Sequence, residues 1–418
     1  MNPSILIKKK NKFFVEDVCI DSIIEKFVTP TYIYSKKRIV DNFKNLESAF
    51  KNVDHLICFA VKANSNLAIL NLLAKNGAGF DIVSGGELRR VIAANGDPKK
   101  IVFSGVGKTS EEIKLAIENN ILAFNIESED ELSRIQLIAK ELNKKASISI
   151  RVNPNVNANT HPYISTGLKE NKFGVSEESA LNLYKKAKNM DSILIKGIDC
   201  HIGSQITDLK PFEDSVKKLI ALIDKLEIEG INIKHLDIGG GIGISYKDEK
   251  TIAFDDYAKA VTALTKGRDF KILLEPGRVI IADAGAILTK VEYVKKTQDK
   301  NFAIIDTAMN DLMRPSLYGA FHKILNTSET ADKESVFDIV GPICETGDFI
   351  GKDRVISIEP NNILVIMDTG AYAMSMSSNY NSRPRLYELM IDKTKTHIIR
   401  EKETFDDLIK GEKILPES

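Results

Sequence analysis

Short apolar runs alternate with helical stretches through the middle of the chain. Runs rich in β-branched and aromatic residues occur at residues 55–64, 79–87, 101–108, 123–128, 147–155, 193–205, 233–241 and 271–278. Between them, apolar residues recur with the spacing of a helix that buries one face, most clearly over residues 215–230. Eight strand–helix units in one series predict an α/β fold built as a closed (β/α)₈ barrel rather than an open doubly wound sheet.

The predicted helices carry start and stop signals. Thr109 with Glu112, and Ser128 with Glu131, have the spacing of capping boxes. Gly77 and Gly230 stand where a helix should end, because glycine adopts the left-handed conformation of a C-terminal cap at low cost. These signals support the alternation of strands and helices.

The pattern changes after residue 280. Stretches such as "NFAIIDTAMND" and "NILVIMDTGAYAMS" are strand-like, are bounded by Gly, Pro and Asp turns, and show little helical periodicity. The opening stretches "KFFVEDVCI" and "PTYIYS" have the same character. The sequence therefore predicts a barrel over residues 35–280 and a second, mostly β domain made of residues 1–34 and 281–418.

Composition and charge narrow the class of protein. Lys+Arg and Asp+Glu both number 58, so the chain shows no electrostatic footprint for nucleic acid or an anionic membrane. Its four cysteines are far apart and have neither CxxC nor zinc-site spacing, which suits a reducing compartment. The N-terminus does not resemble a signal peptide, and no apolar stretch has the length of a membrane span. We expect a soluble cytoplasmic protein with no metal site and no nucleic-acid or membrane partner.

A lysine follows the first apolar run, in "CFAVKAN". The ordinary interpretation of Lys62 is a solvated side chain. Among apolar neighbours, however, a lysine loses its proton more readily and becomes a nucleophile for carbonyl compounds. Barrels place their chemistry at the C-terminal ends of their strands. Other polar residues cluster at the same ends of the predicted strands: Asp81, His201, Ser204, Glu275 and Arg278.

The last two barrel strands end in segments suited to a phosphate. Gly239-Gly240-Gly241 follows the seventh run and Arg278 the eighth, where many barrels hold a phosphate through backbone N–H groups. Taken alone, "GGGIG" is more typical of a plain tight turn, and Ile244 occupies the place of the last glycine of a GxGxxG motif. A lysine for an aldehyde, a phosphate cradle and an acid for a pyridine nitrogen together fit pyridoxal 5′-phosphate. Glu275 is the candidate acid, since it would otherwise be an uncompensated buried charge.

A series of motifs runs through most of the chain in one order. They are "AVKAN", "FDIVSGGE", "NPNVNANTHPYISTGLKENKFG", "HIGSQ", "LDIGGGIG", "EPGR", "MNDLMRPSLYGA", "GPICETGD" and "GAYAMSMSSNYNSRPR". In this series the chain resembles the diaminopimelate decarboxylase family, fold type III pyridoxal-phosphate enzymes related to ornithine and arginine decarboxylases and to alanine racemase. The resemblance implies decarboxylation of meso-2,6-diaminopimelate to L-lysine and CO₂, the last step of lysine biosynthesis.

The resemblance also implies a role in cofactor binding for each matching residue. Lys62 would carry the cofactor, Asp81 would lie beside that bond, and His201 would stack on the pyridine ring. Glu275 would pair with the pyridine nitrogen. The phosphate would be held by Ser204, Gly240, Gly241, the turn Glu275-Pro276-Gly277-Arg278 and Tyr372. Without the resemblance, Asp81 is compatible with a strand-end hydrogen-bonding residue and His201 with a core histidine.

Substrate recognition should depend on arginines and acids. Meso-diaminopimelate carries an amino-acid group at each end, so the end that is not decarboxylated needs cations for its carboxylate and an anion for its ammonium. Arg278 and Arg314 can supply the cations, Tyr318 a hydroxyl and Glu345 the anion, and Tyr372 is a further candidate. Each of these residues taken alone could instead form a surface ion pair of little energetic value.

Cys344 is the candidate proton donor to the substrate Cα, acting as a general acid. The resemblance implies that this cysteine enters the site from a second subunit. It therefore implies a homodimer with shared active sites, in which Cys344, Glu345 and Tyr372 act across the interface. The alternative is a buried cysteine with a packing role.

Two other functions are compatible with parts of this pattern. A related decarboxylase acting on carboxynorspermidine or a basic amino acid would share the cofactor site, but a basic substrate would call for acids rather than Arg314 at its distal end. A non-catalytic pyridoxal-phosphate-binding barrel could share Lys62 and the phosphate site, but would lack the β-rich domain and the pair Cys344-Glu345.

Overall fold

The computed structural model describes residues 5–157, 167, 172–328, 330 and 333–417. The chain forms two compact units. The barrel unit comprises Val40–Ile280, and the β-rich unit comprises Met1–Ile39 together with Ile281–Ser418. The domain boundaries given above from the sequence stay a prediction.

The β-rich unit begins with four short strands and one helix. They are β1 (Leu6–Lys9), β2 (Lys12–Val15), β3 (Val18–Cys19), α1 (Ile20–Ile24) and β4 (Thr31–Ser35). The first three strands form an antiparallel sheet of their own. Lys10 and Asn11, which connect the first two, both have positive φ (47° and 63°), as a two-residue hairpin turn with a right-handed twist requires.

Eight parallel strands close into a barrel, as the hydrophobic pattern predicts. They are β5 (His55–Ala60), β6 (Gly79–Ile82), β7 (Ile101–Phe103), β8 (Ala123–Ile126), β9 (Ala146–Arg151), β10 (Ile193–Asp199), β11 (His235–Asp237) and β12 (Lys271–Leu274). The last strand pairs with the first, with Leu274 opposite Ile57, and this pairing closes the ring. Most residues of these strands are buried, which is why the strands read as nearly continuous apolar runs.

Helix α2 (Lys36–Ala49) precedes the first barrel strand. The barrel strands are connected by α3 (Leu67–Lys75), α4 (Gly85–Ala93), α5 (Ser110–Glu118), α6 (Glu129–Glu141), α7 (Glu177–Lys188), α8 (Lys210–Ile228) and α9 (Phe254–Leu264), and α10 (Arg278–Ile281) follows the last strand. The helix predicted over residues 215–230 is α8. It begins earlier, at Lys210, because Pro211 is well suited to the first turn of a helix.

Most of the predicted helix signals are confirmed. Thr109 and Glu112 form a complete capping box, in which each side chain accepts a hydrogen bond from the other residue's backbone N–H. Gly77 and Gly230 follow α3 and α8 with φ of 96° and 69°, the left-handed conformation expected after a helix.

The second predicted capping box is only half formed. The Ser128 hydroxyl accepts the Glu131 N–H at 3.2 Å, as predicted. The Glu131 carboxylate, however, accepts the Glu127 N–H at 2.8 Å and the buried Lys108 ammonium at 2.6 Å. A charge-assisted contact with a buried lysine is stronger than one with a backbone N–H, so Lys108 explains the departure.

The remaining strands of the β-rich unit form its main sheet. They are β13 (Gly285–Lys296), β14 (Asn301–Ile305), β15 (Ile324–Asn326), β16 (Ser335–Val340), β17 (Phe349–Ile356), β18 (Ile363–Ile366), β19 (Tyr387–Asp392) and β20 (Lys395–Arg400). The strand order is β17-β16-β14-β13-β4-β19-β20, and β18 pairs with both β13 and β15. The core beneath this sheet includes Ile33, Leu288, Val365 and Leu389. The prediction of a second, mostly β domain is confirmed.

Helices in the later part of the β-rich unit are short: α11 (Arg314–Tyr318) and α12 (Phe405–Ile409). In the part of the chain that the structure describes, 3₁₀ turns occur at Val61–Ala63, Pro98–Lys100, Ala282–Ala284, Met374–Met376 and Tyr380–Ser382. Within the described ranges, no helix is long and apolar enough to cross a membrane.

Candidate active site

Lys62 lies at the C-terminal end of the barrel, in the 3₁₀ turn that directly follows β5. Its Nζ contacts Oδ2 of Asp81 at 2.8 Å. Asp81 is fully buried in β6, whereas 35% of the Lys62 side chain is exposed, so the amine can be reached from outside. The other Asp81 oxygen makes no hydrogen bond to the described part of the chain. Lys62 is therefore a lysine with a buried anionic partner, not a solvated surface side chain.

The glycine turn after β11 approaches the backbone of the next strand too closely for any other residue. A Cβ on Gly240 would lie 2.0 Å from the Glu275 carbonyl oxygen, and one on Gly241 would lie 2.4 Å from the Gly203 carbonyl oxygen. Gly239 and Gly241 have φ of 66° and 109°. The turn thus brings bare backbone to the mouth of the barrel, which is what a phosphate cradle requires.

His201 is fixed by this glycine turn. The Gly240 N–H donates to His201 Nδ1 at 3.1 Å, so the neutral ring carries its proton on Nε2. Burial, together with the positive charges of Lys62 and Arg151, holds the pKa of His201 well below its ordinary value. His201 is therefore a neutral, oriented ring, suited to stacking rather than to acid catalysis.

Glu275 directly follows β12 and is buried. Its Oε1 accepts hydrogen bonds from the Asn125 amide at 3.2 Å and the Ser104 hydroxyl at 3.4 Å. Burial, with the negative charges of Asp237 and Asp81, raises the carboxyl pKa of Glu275 well above its ordinary value. A cation or an N–H⁺ group placed against Glu275 would therefore be bound strongly.

Arg278 begins α10, and its guanidinium is also buried. Nη1 donates to the Tyr246 hydroxyl at 2.8 Å and Nη2 to the Ser204 hydroxyl at 3.0 Å. Two residues earlier, the Pro276 carbonyl accepts the Ala60 N–H at 3.0 Å and so ties the turn to the end of β5. Gly277, between them, is buried. The structure thus brings together Ser204 and Arg278, both predicted for the phosphate, and adds Tyr246.

The barrel interior next to Glu275 contains further charged groups that were not predicted from the sequence. Carboxylate oxygens of Asp199, Asp237 and Glu275 lie within 4.8 Å of one another. Arg151 is paired with Glu127 at 3.1 Å and with Asp199 at 3.8 Å. Burial, followed by the charge of Asp81, raises the pKa of Asp237 to about 7. A carboxyl group with such a pKa holds a proton that the neighbouring carboxylates can accept. The three acids can therefore share protons.

A signal for these residues was present in the sequence. Ser104, Asn125, Arg151, Asp199 and Asp237 are polar residues inside or directly after the apolar runs of successive barrel strands. A buried polar side chain needs a hydrogen-bonding partner. Polar residues at these positions of several neighbouring strands therefore indicate that their side chains meet in the barrel interior.

The substrate residues predicted in the β-rich unit occupy two segments. Arg314 and Tyr318 are the first and last residues of α11, with Arg314 buried and Tyr318 half-buried. Tyr372 is half-buried and has φ of 54°, a conformation that costs energy in a residue other than glycine and that is typical of functional positions.

The loop that carries Cys344 is exposed but held in place. The Cys344 N–H donates to Asn381 Oδ1 at 3.0 Å. Asp348 accepts the N–H groups of Ile343 at 2.8 Å and Met309 at 2.7 Å. Glu345 is exposed on the same loop. Cys344 is therefore not the packing cysteine of the alternative interpretation but an ordered thiol at the surface of the chain.

The donors of the barrel unit fit pyridoxal 5′-phosphate. They comprise a reachable amine on Lys62, a backbone cradle closed to any side chain at Gly240, a buried arginine beside a hydroxyl, and a buried acid with a raised pKa at Glu275. These are the groups that an aldehyde, a phosphate and a pyridine nitrogen need. Most of the motif over residues 153–174 lies outside the described residues.

The chain is similar to known proteins over nearly its whole length. Residues 36–282 match the family "Pyridoxal-dependent decarboxylase, pyridoxal binding domain". A relative from Pseudomonas aeruginosa, named diaminopimelate decarboxylase, is 50% identical over 97% of this chain and 98% of its own length.

Two solved structures are also similar. Diaminopimelate decarboxylase from Helicobacter pylori, complexed with L-lysine, has a TM-score of 0.91 and 46% identity over 93% of this chain and 98% of its own. The enzyme of that name from M. jannaschii, in co-complex with L-lysine, has a TM-score of 0.93 and 42% identity over 98% of both chains.

Proposed function

The chain belongs to the diaminopimelate decarboxylases of the pyridoxal-dependent decarboxylase family, and from this premise we propose that it converts meso-2,6-diaminopimelate to L-lysine and CO₂. This is the last step of lysine biosynthesis. The observation that carries the proposal is the 50% identity with a relative of that name across 97% of the chain, which includes the barrel unit and the β-rich unit.

The barrel residues explain how the cofactor would be held. Pyridoxal 5′-phosphate, when bound, supplies an electron sink for the pair left behind by the departing carboxylate. Lys62 provides the amine for its aldehyde, and Asp81 orients that amine at 2.8 Å. Glu275, whose carboxyl pKa is raised by burial, would pair with the pyridine nitrogen, and His201, whose pKa is lowered by burial, would stack on the ring as a neutral imidazole. Ser204, Gly240, Gly241 and the turn from Glu275 to Arg278 hold the phosphate, with Tyr372 as a further ligand.

The residues of the β-rich unit would recognise the end of the substrate that is not decarboxylated. Arg314, with Arg278, binds its carboxylate, Tyr318 adds a hydroxyl, and Glu345 binds its ammonium, with Tyr372 as a further candidate. Glu345 already accepts a hydrogen bond from the Tyr380 hydroxyl, and this contact raises the pKa of Tyr380. The carboxylate that Arg314 recognises is retained in the product, so L-lysine should bind through the same arginine.

The substrate is tested by measuring CO₂ release from meso-, LL- and DD-diaminopimelate beside lysine, ornithine and arginine. We expect release from the meso isomer and little or none from the three basic amino acids. Release from ornithine or lysine at a comparable kcat/KM would contradict the assignment and favour the related basic-amino-acid decarboxylases.

We further propose a homodimer in which Cys344, Glu345 and Tyr372 of one subunit complete the site of the other. The support is that Cys344 is exposed on an ordered loop of the single chain, where a general acid could reach a neighbouring site. The cytoplasmic location stays a prediction from the sequence.

Subunit exchange tests the shared site. Lys62→Ala and Cys344→Ala should each be nearly inactive, yet a mixed dimer has one site with both lesions and one with neither. With random exchange about half of the dimers are mixed, so activity should recover to roughly a quarter of wild type. Exchange confirmed by mass spectrometry without recovered CO₂ release would rule out the shared site.

A further inference from the structure

His322 forms a buried link between Arg314 and the main sheet of the β-rich unit. The Arg314 guanidinium Nη1 lies 2.8 Å from His322 Nε2, and His322 Nδ1 lies 2.8 Å from the Met367 carbonyl oxygen. His322 is 0% exposed and Arg314 is 6% exposed. No motif in the sequence analysis included this histidine.

The backbone fixes both ends of this link. Gly319 directly follows helix α11, and its φ of 60° turns the chain back so that residues 320–323 lead directly into β15. β15 pairs with β18, with Ile324 opposite Ile366, and the Met367 N–H donates to the Lys323 carbonyl at 2.8 Å. The Met367 carbonyl is thus a fixed acceptor in the sheet, and the imidazole spans from it to the guanidinium.

The chemistry of the partners determines the tautomer of His322. A carbonyl oxygen can only accept a hydrogen bond, so Nδ1 carries the proton and donates it to Met367. A guanidinium can only donate, so Nε2 uses its lone pair to accept from Arg314. Both contacts are made at once only by a neutral imidazole protonated on Nδ1.

A neutral acceptor suits an arginine that must bind a carboxylate. An aspartate or glutamate at this position would orient the guanidinium but also neutralise it, and it would compete with the substrate carboxylate for the same N–H donors. An imidazole orients the group and leaves its full positive charge. The Asp368 carboxyl also interacts electrostatically with Arg314. Burial and the charge of Asp283 raise the Asp368 pKa to about 7, so its negative charge is only partial near neutral pH.

We propose that His322 is a positioning residue that holds the Arg314 guanidinium for the carboxylate retained in the product, and that it thereby sets affinity for that carboxylate. The inference rests on the proposed function, in which Arg314 binds this group. L-lysine carries the retained carboxylate and cadaverine does not, so the two amines form a matched pair of probes.

The test compares His322→Phe, which fills the space without an acceptor, with His322→Gln, which offers one acceptor and one donor. In His322→Phe, KM for meso-diaminopimelate and Kd for L-lysine should each rise about tenfold or more, while kcat changes less than about threefold. Binding is followed by the absorbance of the cofactor-loaded enzyme and by calorimetry. Cadaverine binding should not change, and His322→Gln should restore most of the lysine affinity. His397→Phe, the same change at an exposed histidine of this unit, is the control.

Two further variants keep the proposal falsifiable if His322→Phe does not fold. His322→Glu keeps an acceptor but adds a charge, so it should weaken L-lysine binding; wild-type affinity there would overturn the argument for a neutral partner. In the Arg314→Ala background, His322→Glu should weaken L-lysine binding much less than it does in the wild type, because His322 acts through Arg314; an equal weakening in both backgrounds would overturn the proposal.

The outcomes separate this proposal from the proposed function. If Arg314→Ala leaves L-lysine binding unchanged, the assignment of Arg314 to the substrate is wrong. If Arg314→Ala weakens it but His322→Phe does not, only the positioning role is wrong. Equal weakening of lysine and cadaverine in His322→Phe would show a general structural role and would also overturn the proposal.

Discussion

Replacing Glu275 with Gln tests the electronic role of the buried acid in the barrel. Gln has nearly the same shape, and its carbonyl oxygen can continue to accept the Asn125 amide at 3.2 Å and the Ser104 hydroxyl at 3.4 Å. The substitution therefore removes the negative charge while keeping these contacts. A neutral amide cannot hold a pyridine nitrogen in its protonated form, so the electron sink should weaken.

The size of the effect follows from the bond that is lost. A hydrogen bond to a charged group contributes about 1.5–3 kcal/mol. Since each 1.36 kcal/mol of transition-state stabilisation corresponds to about a factor of ten, kcat should fall roughly ten- to 150-fold. The cofactor should still bind, because Lys62, Ser204 and Arg278 remain.

The stability of the variant should change in the opposite direction. Burial and the nearby Asp237 and Asp81 raise the pKa of Glu275, which means that its ionised form is unfavourable in the folded chain. Removing that charge should leave Tm unchanged or higher at pH 8. Asp338→Asn is a matched control: Asp338 is also buried, but hydrogen bonds from Lys300 and the Asp353 backbone outweigh burial and lower its pKa. Its replacement should lower Tm and leave kcat within about threefold of wild type.

The assay measures CO₂ release at saturating substrate and cofactor, with absorbance as the check that Lys62 carries the cofactor. A kcat within about twofold of wild type in fully loaded Glu275→Gln would refute the electronic argument. A loss of activity caused only by lost cofactor would likewise refute it, because Glu275 would then serve cofactor retention and not turnover.

Further predictions concern the remaining site residues. Borohydride reduction of the loaded enzyme followed by peptide mapping should label Lys62, and label on another lysine would disprove its assignment. Arg314→Ala should reduce kcat/KM for meso-diaminopimelate tens- to a hundredfold, which corresponds to about 2–3 kcal/mol of lost transition-state stabilisation. The absorbance of the cofactor bound to Lys62 should not change. An unchanged kcat/KM would place Arg314 outside the site. Because the pKa of Asp237 is raised from 3.8 to about 7, its contribution to folding is full below pH 3.8 and is lost as pH rises through about 7. The stability of the cofactor-free wild type should therefore fall over that range, and Asp237→Asn should fall less; parallel curves would contradict the shift.

The sequence predicts the barrel well because its strands are buried on both faces and are separated by helices with clear caps. The strands of the β-rich unit are harder to predict from the sequence. No residue of β20 is fully buried, and β15 is only three half-buried residues long, so neither gives a clear alternation of buried and exposed positions. β19 points a charged residue, Glu388, into the interior, where Tyr34 binds it at 2.8 Å and Arg400 at 2.6 Å. That partnership depends on contacts distant in sequence, which no local pattern contains.

The same limit applies to the candidate site. Lys62, the glycine turn and Glu275 stand at strand ends, where position alone predicts a role. Asn125 and Asp237 lie within strands, and whether such a side chain points into the barrel or outwards cannot be read where both faces are apolar. His322 acquires its role from Arg314, eight residues away, and from Met367, 45 residues away, so it gave no signal at all.

Buried acids occur in both units, but they are satisfied differently. In the β-rich unit, Glu388 and Asp338 have cationic and hydrogen-bonding partners. Among the described residues, the buried carboxylate oxygens that lack a hydrogen-bond partner belong to Asp81, Asp199 and Asp237, all in the barrel. An acid whose only role was structural would be selected with its partner, because an unpaired buried oxygen costs about 1–3 kcal/mol. These unpaired oxygens lie in the barrel unit with Glu275 and Lys62, where a bound cofactor can supply positive charge. Their unfavourable contribution to stability therefore indicates the same site as the chemistry of the residues does.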